Sequence, residues 1–153
     1  MVLRLSRALA GARTIPLGYG VTVSFRQFGF SDLREAQAAA MRLARETLPP
    51  AHAFDAAALD DEDLGPEHED ALRGQADRHF VKLLLVRFGT GWEGLEDETG
   101  APAPFEAATI DIFLDLFPGT ASVLHQSLMA PVVAVEMEGN VSAPSPHTAT
   151  AEA

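Results

Sequence analysis

The first part of the chain alternates apolar and polar residues in the way that short β-strands do. Val2–Arg7 shows this alternation, and so does Thr14–Phe28, which Gly18 and Gly20 interrupt. Alternation with a period of two places successive side chains on opposite faces of a strand, and glycine favours the turns between strands. The pattern therefore predicts a small β-hairpin or three short strands within about residues 2–28.

Four later stretches carry the spacing of helices that bury one face. Their predicted bounds are about 32–48, 67–89, 105–117 and 120–131. The second stretch has the widest apolar stripe, which includes Phe80, Leu84 and Phe88, so we expect it to form the central core helix. The fold class predicted is therefore mainly α (α+β), with N-terminal strands followed by a bundle of about four helices.

Two stretches lack the large apolar residues that a core needs. Residues 49–66 include Asp55 and the acidic run Asp60–Asp63. Like charges repel and little apolar surface offsets the ordering entropy, so this stretch predicts a mobile loop. Residues 139–153 are mostly Ser, Ala, Pro, Thr and Glu and predict a disordered polar tail. We expect one α+β domain over residues 1–138.

Composition limits the classes of partner. The net charge is −11, and a surface this acidic repels the phosphates of nucleic acids. The chain has no cysteine, which excludes a disulfide framework and thiolate metal sites. No apolar run approaches the roughly 18 residues of a membrane span. The arginine-rich start is compatible with a targeting peptide, although an N-terminal strand with solvated arginines is the simpler interpretation.

Gly89–Gly94 has the GxGxxG spelling of a dinucleotide-binding turn. Such a site needs the third glycine to lie in a helix whose N-terminal amides meet a pyrophosphate. Here the acidic stretch Leu95–Gly100 follows instead, and it would repel a diphosphate. We interpret the motif as a glycine-rich helix stop and loop.

No other motif indicates chemistry. The five histidines form no HExxH pair, and the contiguous acids of Asp60–Asp63 do not match the spacing of a calcium loop. The GxSxG sequence of a hydrolase is absent, although a His–Ser–Asp relay assembled in space stays open. The sequence therefore predicts a protein that is not an enzyme and has no cofactor or metal site.

Trp92, the only tryptophan, stands where the core helix should end. One interpretation is a core plug that pins the following loop over the helices. The other is an interface anchor, because tryptophan is enriched in binding hot spots. The first interpretation is favoured.

The stretch Gly91–Phe105, GWEGLEDETGAPAPF, resembles a segment of the tail assembly chaperones of long-tailed bacterial viruses. In that family a helix ends in a Trp-x-Gly-hydrophobic element, an Asp-Glu-x-Gly turn follows, and Pro-x-Pro-Phe precedes another helix. The order of an N-terminal β segment, an Ala/Arg helix, an acidic variable loop and a long helix is similar as well. The likeness extends over roughly residues 20–140, with its specific part in Gly91–Phe105.

The resemblance implies a non-enzymatic role in tail morphogenesis of a phage, prophage or gene-transfer agent, in the cytoplasm of the bacterial host. Such chaperones bind the tape-measure protein, keep it soluble and help to recruit tail-tube subunits. The alternative is a structural tail-completion or connector subunit of a phage-like particle, and a homo-oligomer is left open. The expected partner-binding residues are Trp92, Leu95, Phe105, Phe113 and Phe117.

Overall fold

The computed structural model of this 153-residue chain describes residues 11–48 and 65–129. Within them the chain forms a three-stranded sheet and four helices, which confirms the mainly α (α+β) fold class. The elements in order are β1 (Arg13–Gly18), β2 (Val21–Phe25), α1 (Phe30–Thr47), α2 (Pro66–Phe88), β3 (Gly89–Glu93), α3 (Ala107–Leu116) and α4 (Pro118–Met129).

Several predicted segments lie outside the described residues. They are the alternating stretch at Val2–Arg7, most of the acidic loop predicted at 49–66, the end of the fourth helix beyond Met129, and the tail predicted at 139–153. Within the acidic loop's predicted bounds, Pro66 is described, and it is the first residue of α2.

The sheet is antiparallel, with the strand order β1-β2-β3. Ile15 pairs with Val23, and Val23 pairs in turn with Trp92. The prediction placed all strands within residues 2–28 and a loop after the core helix, and both statements need correction because Gly89–Glu93 is a strand. This segment is glycine-rich and gains its extended conformation by pairing with β2, a contact distant in sequence.

A tight turn joins β1 to β2. Gly18, Tyr19 and Gly20 have φ angles of 89°, 54° and 79°, all in the left-handed region. Glycine adopts this region without steric cost, which explains the two glycines that flank the tyrosine. Tyr19 stands at the tip of the hairpin with 99% of its surface exposed.

The helix starts differ from the prediction by one to two residues. α1 begins at Phe30, two residues before its predicted start, with Gly29 as the N-cap. The Asp32 carboxylate accepts a hydrogen bond of 2.8 Å from the Gly29 N–H, which satisfies a donor that the helix leaves free. α3 begins two residues later than predicted, and α4 begins at Pro118, since proline suits the first helical position.

α2 is the centre of the molecule, as predicted. Its buried residues face the inner side of the sheet, and α1 packs along it. The fully buried residues within α1 are all alanine, and the half-buried Leu33 also packs against the core. α3 and α4 complete the core with Ile110, Phe113, Leu114, Leu124 and Leu128.

Candidate partner-binding surface

Trp92 lies where β3, the following loop and α3 meet. Because Trp92 pairs with Val23, its side chain lies on the same, inner face of the sheet. Its ring centroid is 5.0 Å from that of Phe105 and 5.8 Å from that of Phe113. The indole Nε1–H donates a hydrogen bond of 2.8 Å to the Ala103 carbonyl oxygen. These contacts hold the loop against the core, as expected for a core plug.

Two glycines of the GxGxxG sequence are required by close packing. A Cβ on Gly89 would collide with the Phe105 ring and with the Leu85 carbonyl oxygen. Gly94 has a φ of 80°, and a Cβ there would meet the carbonyl group of Gly20. The elements follow the order helix, strand, loop, whereas a dinucleotide site needs strand, loop, helix. This segment therefore lacks the geometry of a dinucleotide-binding turn.

Asp97 fixes the conformation of the loop between β3 and α3. Its Oδ1 accepts hydrogen bonds from the Thr99 N–H (2.8 Å), the Thr99 hydroxyl (2.6 Å) and the Ala101 N–H (3.1 Å). The Thr99 hydroxyl first, and then these N–H groups, lower the pKa of Asp97 below its usual range. The Ala103 N–H also donates to the Leu95 carbonyl oxygen at 2.9 Å, which closes the loop and keeps Leu95 half-buried against the core.

One side of α3 carries charges that face α2. The Nη2 atom of Arg78 lies 3.2 Å from Asp111 Oδ1 and 3.0 Å from Asp115 Oδ1. The Nζ atom of Lys82 lies 2.6 Å from Asp111 Oδ2. Desolvation raises the pKa of Asp111, but the hydrogen bond from Lys82 and the charges of Lys82 and Arg78 outweigh it, so the pKa lies below its ordinary value. These ion pairs join the aspartate side of α3 to α2.

Another side of α3 is apolar and exposed. Ile112 is 56% exposed, Leu116 is 66% exposed, and Phe117 directly after the helix is 48% exposed. Ile112 and Leu116 are four residues apart and therefore neighbours on the helix surface. We call these three residues the α3 patch. With Ile110, Phe113 and Leu114 buried on the inner side, α3 is apolar on two sides, which is typical of a helix covered on both.

The structure divides the expected partner-binding residues into buried and exposed ones. Phe113 is 3% exposed and belongs to the core, whereas Phe117 is part of the α3 patch. The other three, Trp92, Leu95 and Phe105, are half-buried around the loop. The sequence-based prediction missed Ile112 and Leu116 because helical spacing assigns apolar residues to the single face that packs on the core. The exposed apolar side could have been recognised from the aspartates, which occupy only one side of α3.

A groove of about 280 Å³ lies between α2, α3 and α4 and is lined by Asp77, Ser122 and His125 among others. The Nε2 atom of His125 is 3.5 Å from Asp77 Oδ1, and its ring meets Phe80 edge-on with centroids 5.8 Å apart. Among the described residues no hydrogen bond joins Ser122 to His125. The relay of Ser, His and Asp that the sequence left open is therefore not assembled in this groove.

Within residues 11–48 and 65–129, no group of three or more His, Asp or Glu side chains converges in a way that could hold a metal ion. No single helix in this part is long and apolar enough to cross a membrane. α3 and α4 satisfy that test of length and composition only as a pair, and the pair is bent by 109°.

Comparison of the chain with protein-family models, with curated proteins and with solved structures finds no match. Among the surfaces described above, the α3 patch is exposed and apolar, and patches of this kind often mark interaction sites.

Proposed function

We propose that this protein is a non-enzymatic tail assembly chaperone that binds the tape-measure protein. It would keep that long helical chain soluble in the cytoplasm of the bacterial host and help to recruit tail-tube subunits around it. The single observation that carries the proposal is the α3 patch, an exposed apolar strip on a helix whose opposite side is already buried in the core. The resemblance of Gly91–Phe105 supplies the identity of the partner.

The α3 patch suits a helix as its occupant. Tape-measure proteins, as the resemblance implies, are long helical chains with apolar stripes, and an apolar stripe binds by packing against a groove or a second apolar face. Full burial of an Ile, Leu or Phe side chain contributes roughly 1.5–3 kcal/mol. About half of each patch residue is still exposed, so covering the patch would contribute about 1 kcal/mol per residue. The conformational entropy lost on binding is not yet subtracted from this value.

The structure around the patch supports rigid presentation of these side chains. The ring contacts of Trp92 with Phe105 and Phe113 hold the chain that enters α3. The ion pairs of Asp111 and Asp115 join the helix to α2. A surface that is already ordered loses little conformational entropy on binding. The net charge of −11 would keep the resulting complex soluble.

Co-expression tests the proposal. The full chain is expressed together with the tape-measure protein of the same genome, and the soluble yield of the partner is compared with its yield alone. We expect a higher soluble yield and co-purification of the two chains. Unchanged yield without co-purification would refute the role.

The alternative, a structural connector or tail-completion subunit, makes a different prediction for the mature particle. A chaperone leaves the particle after assembly, whereas a connector stays in a fixed number of copies. Quantitative mass spectrometry of purified particles separates the two, and we expect the chain to be absent or present in traces. A stoichiometric amount in the particle would favour the connector.

A further inference from the structure

β3 is an edge strand of the sheet, and its outer edge has no partner among the described residues. The strand order is β1-β2-β3, and no backbone hydrogen bond from the described segments reaches the outer side of β3. Strands at an edge present unpaired N–H and C=O groups that can pair with another chain. Proline, lysine, other charged side chains and β-bulges all protect edges. Gly89–Glu93 contains no proline or lysine, but it has a bulge at Thr90 and ends in the charged Glu93, whereas β1 contains Pro16. The regular part of the edge is therefore Gly91–Glu93.

The two ends of β3 carry opposite charges. Glu93 stands exposed at its last position. Arg26, which directly follows β2, lies beside the residues that precede β3. It donates hydrogen bonds to the Arg87 carbonyl oxygen at 2.8 and 3.2 Å, and its guanidinium lies 4.7 Å from the centroid of the Phe88 ring. A rise of roughly 3.3 Å per residue puts about 13 Å between the ends of the strand. β3 is therefore a short edge with an acidic end and a basic end.

We propose that β3 pairs with β3 of a second copy of this chain, in the antiparallel direction around a twofold axis at Gly91. Antiparallel pairing places Glu93 of each copy beside Gly89 of the other, next to the other copy's Arg26 and Arg87. Parallel pairing would instead set like charges side by side. The two sheets then form one continuous six-stranded sheet whose outer faces lie on the same side.

The contact is independent of the α3 patch, so it goes beyond the proposed chaperone role. Gly91 lies on the outer face of the sheet, because it neighbours the inward Trp92, and a Cβ at Gly91 would meet nothing within 4 Å. A cysteine side chain therefore fits at position 91 on the outer face of the sheet. A second copy suits this edge, because an identical strand in the antiparallel direction offers the same two charges in reverse order.

Cysteine cross-linking tests the pairing, and the natural chain has no cysteine to interfere. In the proposed dimer the two copies of residue 91 are directly opposite, at a Cα separation of about 4.5–5.5 Å that suits a disulfide. Under mild oxidation we expect Gly91→Cys to form a covalent dimer. Ser24→Cys is the matched control, because Ser24 pairs with Gly91 on the same face but its two copies would be three strand spacings apart, about 14 Å.

Charge exchange tests the same contact in solution. Analytical ultracentrifugation should show a dimer that dissociates on dilution, and Glu93→Arg should weaken it roughly tenfold or more by placing like charges together. The double variant Glu93→Arg with Arg87→Glu should restore it, and the Leu116→Gln variant of the α3 patch should leave it unchanged. A monomer at all concentrations would overturn the proposal. A dimer that is indifferent to Glu93→Arg and is not cross-linked through Gly91→Cys would overturn it equally.

Discussion

Helices α1 and α3 both pack against α2, and they use their apolar residues in opposite ways. The buried residues within α1 are Ala36, Ala39, Ala40 and Ala44, so a thin stripe of small side chains meets α2. α3 buries large side chains on its inner side and exposes Ile112 and Leu116 on another. α1 also exposes Phe30 and Met41, but these lie about three helical turns apart, whereas Ile112 and Leu116 of α3 are neighbours on the helix surface. Contiguous exposed apolar residues often mark interaction sites, which is why the α3 patch is the surface proposed to bind a partner.

The variant with the largest expected effect on stability is a truncation on the inner side of α3. Phe113→Ala should lower the free energy of unfolding by roughly 3–5 kcal/mol, because the ring is 3% exposed and packs against Trp92 and Phe117. Urea denaturation followed by circular dichroism measures the change. The matched variant Leu116→Ala, on the exposed side of the same helix, should change it by no more than about 0.5 kcal/mol. Equal losses would show that both sides of α3 are core.

An enlargement in α1 should have a smaller effect. Ala36→Leu places three extra carbon atoms at a fully buried position against α2, and overpacking of this kind costs about 1–3 kcal/mol. The exposed Ala38 supplies the control, since Ala38→Leu adds the same atoms where there is room. Thermal melts of the two variants should differ by several degrees. If both melt alike, the alanine stripe is not tightly packed.

The ion pairs between α2 and α3 should give the smallest effect, and it should depend on pH. The pKa of Asp111 is lower in the folded chain than in the unfolded chain, so its contribution is present above the unfolded value of about 3.9 and is lost as the pH falls through the folded pKa. The side chain is about one-third exposed, which limits the contribution to roughly 1 kcal/mol or less.

Asp111→Asn should therefore reduce stability near neutral pH and flatten its loss on acidification. Urea midpoints measured between about pH 6 and pH 3 would show this, with Asp70→Asn, an exposed residue of α2, as the control. Parallel curves for Asp111→Asn and the natural chain would contradict the assignment.

The sequence predicts local features well and distant pairing poorly. The central helix, the alanine-lined α1 and the hairpin at Gly18 and Gly20 follow from periodicity and turn residues. β3 does not follow from the local sequence, because the glycines of Gly89–Glu93 predict the end of a helix. The segment becomes a strand only through its pairing with β2. Nothing in the local sequence encodes that contact.

The same limit applies to the candidate site. The aromatic residues on either side of the loop between β3 and α3 can be recognised in the sequence, and Trp92 takes the predicted position of a core plug. Which side of α3 is exposed follows from the burial of Ile110, Phe113 and Leu114 in the core, and the ion pairs of Asp111 and Asp115 with α2 agree with that orientation. The choice between Phe113 and Phe117 as surface residues therefore needs the tertiary structure.

The most direct test of the α3 patch is the dissociation constant between the full chain and a helical fragment of the tape-measure protein. Isothermal titration would compare the natural chain with the double variant Ile112→Gln and Leu116→Gln, and Met41→Gln on α1 serves as the control because it is also an exposed apolar residue. We expect the double variant to bind at least about tenfold more weakly, a loss of about 1.4 kcal/mol, while the control binds normally. Equal affinity of all three proteins would contradict the assignment of the α3 patch as the binding surface.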